Sequence, residues 1–321
     1  MREQAVYCYY AAGNKMMGLL KKACAKAGKR YRPSFLAGKK VRSAAEGNDW
    51  LREKLLSGEA LAAVRYGGFE LGACKIETAR ELGLVRSIPP KYIESLHVNA
   101  GFFPADPSLL ERYLRLEEET SAAIDMLVTN AYDFENYMLS RHIPDNVFLA
   151  DNRALEPYYL SEGVPWTKAL EGRKVLVIHP FEDSIRSQYE KREKLFPGKD
   201  ILPRFELLTL KAVQTIAGNR DSRFETWFDA LDYMAEEALK KDFDVAVLGC
   251  GAYGQPLASI LKSAGKQAVH IGGATQILFG IKGKRWDSSP LISAMYNDYW
   301  VRPSADEVPS SAARVEGACY W

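Results

Sequence analysis

Val245-Ala246-Val247-Leu248-Gly249-Cys250-Gly251-Ala252-Tyr253-Gly254 decides the fold. Four apolar residues read as a buried strand, the glycines at 249, 251 and 254 spell a GxGxxG turn, and residues from about Gln255 to Ala264 read as a helix. Strand, glycine turn and helix in that order make half of a βαβ unit, and Ala268-Val269-His270-Ile271 supplies the strand that completes it. Upstream, Arg173-Lys174-Val175-Leu176-Val177-Ile178-His179 is another buried strand, followed by a helix from about Asp183 to Leu195 and a strand at Leu207–Leu210. A helix carrying Trp227, Phe228, Leu231 and Met234 then leads back to the opening stretch.

The first half is less regular. Leu61-Ala62-Ala63-Val64-Arg65-Tyr66 is a strand stopped by Gly67-Gly68, and a helical segment begins near Glu70. Residues 106–118 form a helix entered at Asp106-Pro107-Ser108, and Val147-Phe148-Leu149-Ala150 is a short strand. Helices are also expected at 14–28 and at 47–57, the second capped by Asn48. Uniformly apolar strands alternating with helices predict a Rossmann-like α/β fold, a mainly parallel sheet with helices on both faces. We place this domain at 59–285, after a basic helical N-terminal appendage at 1–58. Residues 286–321, rich in Trp, Tyr, Ser and Pro, form a C-terminal wrap or lid.

Composition narrows the classes. With 47% hydrophobic residues and 43 Lys plus Arg against 41 Asp plus Glu, the 321-residue chain is neither disordered nor drawn electrostatically to nucleic acid as a whole. The charge is concentrated at one end. Residues 1–60 hold thirteen basic and five acidic side chains, a net +8. Such a segment is either a solvated appendage or a patch that meets anionic lipid or an acidic partner. The cysteines, Cys8, Cys24, Cys74, Cys250 and Cys319, have no CxxC spacing, which argues against zinc, redox and disulfide-framework readings. No signal-peptide pattern and no apolar run of about 20 residues occurs, so the expected compartment is the cytoplasm, and the basic N-terminus leaves room for peripheral contact at the inner membrane face.

In a parallel sheet all strand C-termini share one edge, where ligands bind. That rule gathers the candidate site residues. The turn Gly249, Gly251, Tyr253 and Gly254 would offer backbone N–H groups to a diphosphate. His179 and His270 would donate to it, Ser184 would contact a phosphate at its helix terminus, and Gly272 and Gln276 would lie on the same rim. Lys282, Lys284 and Arg285 would neutralise negative charge there. Arg65, Gly67, Gly68 and Glu70 form a third strand-end turn suited to an anion and a divalent cation. Glu182 and Asp183 are candidate bases. A nicotinamide cofactor would want an acidic residue at the end of the strand after the GxGxxG, and His270-Ile271-Gly272-Gly273 has none.

A strand ending in an Arg-Tyr/Phe-Gly-x-x-Glu turn, with a late glycine-rich turn and a Gly-Gly strand end, resembles the GT-D-type bacterial glycosyltransferases over roughly Leu61 to Trp286. The resemblance implies a hexosyltransferase using a nucleotide-diphospho-sugar, commonly a UDP-sugar, on a glycan or glycoconjugate acceptor in surface polysaccharide or glycoprotein assembly. It also implies a metal and nucleotide motif Asp-x-Glu. Glu70 matches the Glu, whereas the Asp position is Gly68, which weakens binding of Mn²⁺ or Mg²⁺. An NAD(P)-dependent oxidoreductase using the GxGxxG turn and a non-catalytic nucleotide- or glycan-binding protein are the alternatives.

Overall fold

The computed structural model describes residues 2–321. Its centre is a seven-stranded parallel sheet of β1 (Leu61–Val64), β2 (Met126–Thr129), β3 (Phe148–Asp151), β4 (Lys174–His179), β5 (Glu206–Lys211), β6 (Val245–Leu248) and β7 (Gln267–His270). The spatial order is β3-β2-β1-β7-β6-β4-β5, every pair parallel. The Rossmann-like α/β prediction therefore holds.

Helices cover both faces because the inner strands are apolar on both. In β1, Ala62 and Val64 enter one core while Leu61 and Ala63 enter the other. Leu176 and Ile178 of β4 and Ala246 and Leu248 of β6 alternate in the same way with their valine neighbours. One core is packed by α3 (Gly68–Glu81), α4 (Pro90–Ala100), α5 (Leu110–Ser121), α8 (Trp227–Leu239) and α9 (Gly254–Ser263). The opposite core takes α2 (Ala44–Ser57), α7 (Glu182–Tyr189), Trp166 and the C-terminal segment. The long α1 (Arg2–Lys26) lies against α6 (Glu135–Arg141), Tyr7 meeting the rings of Phe134 and Tyr137. Among the described residues no helix is long and apolar enough to cross a membrane, and all five cysteines are free.

Several boundaries differ from expectation for local reasons. The helix expected at 47–57 begins at Ala44, because Ser43 and Glu46 form a reciprocal capping box. Asn48 is therefore inside the helix, and its amide instead bridges Trp166 N–H (2.7 Å) and Val164 C=O (2.8 Å). Leu51 and Leu55 of the same helix are fully buried against the sheet. The helix expected through Leu195 breaks after Tyr189 and resumes at Arg192. Strand β2 and helices α4 and α6 were not expected.

Candidate functional site

One cavity of about 470 Å³ opens outside the C-terminal ends of the four central strands. Arg65 follows β1, His270 ends β7, Gly249 follows β6 and His179 ends β4, and all four line it. Gly67, Gly68, Glu70, Gly251, Tyr253, Gly272, Gln276 and Arg285 line it too. Residues far apart in the chain thus meet because adjacent parallel strands end at one level.

The remaining candidates are elsewhere. Glu182 accepts hydrogen bonds from Thr209 Oγ1 and Arg186 (2.6 Å each), and Asp183 is exposed; neither lines the cavity. Ser184 donates to the Glu307 carboxylate, which also accepts the N–H groups of Asp183 (3.0 Å) and Ser184 (3.1 Å). The N-terminus of α7, expected to hold a phosphate, is already capped by an internal anion. Lys284 donates to Gly317 C=O (3.1 Å) and Lys282 lies over the Tyr296 ring, so Arg285 alone of that basic cluster reaches the cavity.

Two glycines of the turn are required by packing inside the fold. A Cβ on Gly254 would stand 1.9 Å from His270 Cε1, and one on Gly249 would stand 2.4 Å from His179 Cδ2. These two glycines make room for imidazole rings, and Gly254 does not line the cavity. Gly251, at φ +61°, is the one that needs the left-handed region. Tyr253 is stacked on Trp227 with centroids 4.7 Å apart, its hydroxyl 3.2 Å from Thr215 Oγ1, so its side chain belongs to the wall.

Hydrogen bonding separates the two histidines. Phe181 N–H donates to His179 Nδ1 at 2.9 Å, so the proton of the neutral ring is on Nε2. His270 Nδ1 must donate to Leu248 C=O (3.3 Å), which leaves its Nε2 an acceptor. Burial pushes both imidazoles down to about 3, so neither is a cation near neutrality. His179 can therefore donate to a ligand anion, whereas His270 cannot. Burial also pushes the Cys250 thiol up to about 12, which makes it an inert wall residue.

Positive charge in the cavity is held by arginine. Arg65 Nη1 donates to Glu156 Oε1 (3.2 Å) and Ile271 C=O (3.2 Å), and Glu156 Oε2 accepts Tyr158 O–H (3.0 Å). Arg285 is paired with Glu316 and lies 4.7 Å from the centroid of the Tyr320 ring. Tyr132, Glu156, Glu316, Tyr320 and Trp321 are cavity residues that the sequence reading did not select. The C-terminal segment is therefore both wrap and wall: Gln276 Nε2 donates to Tyr320 C=O (3.1 Å), while Gln276 Oε1 is buried with no partner. Five of the six non-glycine residues with positive φ among the described residues fall in cavity loops or beside them: Ala131 and Phe134 around Tyr132, Ala217 after Ile216, and Glu316 and Ala318 before Tyr320. Backbone strain of that kind gathers where a site is held in shape.

Few of these donors are free to hold a divalent cation. Glu156 and Glu316 are each spent on an arginine. Glu70 is folded back over Gly67, its carboxylate facing the backbone N–H groups of its own first helical turn. A Cβ on Gly68, where the resemblance puts an aspartate, would touch the Tyr132 ring at 3.4 Å. Among the described residues the one trio of ligand groups within mutual reach, Glu77, Glu81 and Glu111, is on α3 and α5 and does not line the cavity.

Behind Glu70, Glu117 of α5 is buried, and burial pushes its carboxyl from about 4.5 up to about 8. Between those values the folded chain binds more protons than the unfolded chain, so stability falls as pH rises, by up to about 1.4 kcal/mol per unit. Glu117→Gln is expected to remove that slope. Thermal unfolding should show the variant gaining on wild type at pH 8 and losing most of the gain at pH 5.

The chain matches no protein-family model and no curated protein. Among solved structures, one described as a highly conserved domain of unknown function 1792 with a distinct glycosyltransferase fold aligns at 12% identity and a TM-score of 0.42. The alignment covers 84% of this chain and 93% of that one. A selenomethionine-substituted structure of domain of unknown function 1792 aligns at 13% identity and a TM-score of 0.43 with the same coverage.

Proposed function

We propose that the protein is a glycosyltransferase that moves a hexosyl group from a nucleoside diphosphate sugar, a UDP-sugar, to a hydroxyl of a glycan or glycoconjugate. The observation that carries the reading is the meeting of Arg65, Arg285 and the His179 Nε2–H in one cavity at the carboxyl edge of a parallel sheet. About 470 Å³ suits a ligand of nucleotide-sugar size, and the Tyr132, Tyr320 and Trp321 rings give it apolar walls.

In the reaction the bond from the anomeric carbon to the diphosphate oxygen breaks and a bond to the acceptor oxygen forms. The acceptor proton passes to a carboxylate, and the electron pair remains on the nucleoside diphosphate. Arg65 and Arg285 would carry that developing charge in place of a divalent cation. Glu70 is the cavity carboxylate not hydrogen-bonded to an arginine, and burial raises its proton affinity, which suits a general base. The nicotinamide reading is weakened by the His270 ring, which covers the third glycine of the motif.

UDP and UDP-glucose are expected to raise the melting temperature by several degrees, NAD to leave it unchanged, and EDTA to leave both the shift and donor turnover intact. Glu70→Gln is expected to keep the UDP-glucose shift and to lower turnover by about 10²-fold or more. Stabilisation by NAD alone, or full turnover in the variant, would contradict the assignment.

A further inference from the structure

Helix α1 has two apolar faces, and the body of the protein covers only one. On the inner face Tyr7, Asn14 and Met17 are buried. About 200° around the helix, Tyr9, Ala12, Met16, Leu19 and Ala23 recur at three- and four-residue spacing and face outward. Tyr9, Met16 and Leu19 expose 73, 64 and 68% of their surface, and Leu20 beside them 47%. Isolated exposed apolar residues are ordinary, but a continuous stripe along a helix marks an interaction surface.

The charge around the stripe says what covers it. Exposed Lys15, Lys22 and Lys26 border it, and the first 45 residues carry eleven Lys and Arg against a single acid, Glu3. Glu3 is paired with Arg141, and the nearby Asp133 with Lys75, so neither is a free counter-charge. A second copy laid along the stripe would set these lysines against their own kind. An anionic bilayer supplies both missing complements, acyl chains for the stripe and phosphates for its border.

The helix is also tied to the site. Lys21 donates to Asn130 C=O (2.8 Å) and stands 5.5 Å from the centroid of the Tyr132 ring, which lines the cavity. Arg30 pairs with Asp151 at the end of β3 (3.0 Å). The C-terminal half of α1 therefore sits at the cavity's own edge of the sheet.

We propose that α1 lies in the headgroup region of an anionic lipid bilayer, with Tyr9, Met16, Leu19 and Leu20 inserted, and holds the cavity rim beside that surface. That acceptors reach the cavity there rests on the transferase reading; the docking itself does not, and it is measured with no donor present. The test is flotation of the full chain with phosphatidylcholine vesicles made with and without phosphatidylglycerol. The wild-type chain is expected to float with the anionic vesicles and to remain behind with phosphatidylcholine alone. Met16→Asp with Leu19→Asp should lower the bound fraction at least about tenfold while leaving far-UV circular dichroism and melting temperature unchanged, since both side chains are solvent-exposed. Lys22→Glu with Lys26→Glu should abolish the preference for anionic lipid. A wild-type chain that stays in solution, or vesicle binding indifferent to the Met16 and Leu19 changes, overturns the proposal. So does a dimer that those changes dissociate in a chain that binds no vesicle, which would assign the stripe to a second copy.

Discussion

Gly254→Ala is expected to destabilise the protein by about 1–3 kcal/mol or more and to abolish the proposed binding of nucleoside diphosphates. Taken as a helix residue, Gly254 has an ordinary right-handed conformation, φ −64° and ψ −43°, and alanine there would ordinarily gain close to 1 kcal/mol. Steric contact reverses the sign. The new methyl would stand 1.9 Å from Cε1 and 2.0 Å from Nδ1 of His270. The ring cannot retreat cheaply, because it is buried and its Nδ1–H is held by Leu248 C=O. Moving it outward also drives it toward Arg65, whose side chain shares the space beside Gly272. A matched control is Gly72→Ala on α3, where the added methyl finds Tyr92 at 4.0 Å and should be neutral or stabilising. Urea unfolding of both variants, and of Gly254→Ala combined with His270→Ala, separates helix propensity from the clash. The double variant should recover much of the lost stability. A Gly254→Ala chain as stable as wild type would mean the ring is not where the glycine makes room for it.

The same glycine marks the boundary of what a sequence can disclose. That residues 249–254 join a strand to a helix is legible, because apolar runs and glycines are local properties, and the central strands were read to within a residue or two for that reason. Whether a missing Cβ admits a ligand or a neighbouring ring depends on β7, which pairs with β6 through Leu248 and His270. The reading of Ser184 as a phosphate contact fails likewise through Glu307, 123 residues away. Glu182 and Asp183 sit beside a cavity-lining histidine in the chain, but the first turn of α7 carries them off the rim. Strand β2 was hidden because Ala122-Ala123-Ile124 continues the apolar pattern of α5 almost to Met126, leaving little punctuation between helix and strand. The tautomers of His179 and His270, which make one a donor and the other an acceptor, follow from backbone partners that composition does not reveal.

Arg65→Met is expected to have the second large effect, and it divides into a structural part and a functional part. Arg65 is 20% exposed and its partner Glu156 only 9%, so removing the guanidinium leaves a nearly buried carboxylate with the Tyr158 hydroxyl as its remaining hydrogen-bond partner. Breaking such a pair from one side costs about 3–5 kcal/mol, whereas replacing both members can be neutral, since the desolvation of both charges is then avoided. Methionine retains the packing of the arginine stem, which keeps the lost charge as the main variable. Glu156→Gln added to Arg65→Met should therefore restore most of the stability measured by urea unfolding. It should not restore the chemistry. On the proposed mechanism the guanidinium also meets the leaving diphosphate, and loss of one such preorganised donor lowers turnover by about 10²–10³-fold. Stability that returns while turnover remains lost would place Arg65 on the ligand as well as in the wall. Turnover that returns together with stability would leave it only a structural partner of Glu156, and the diphosphate would then have to be held by Arg285 and His179.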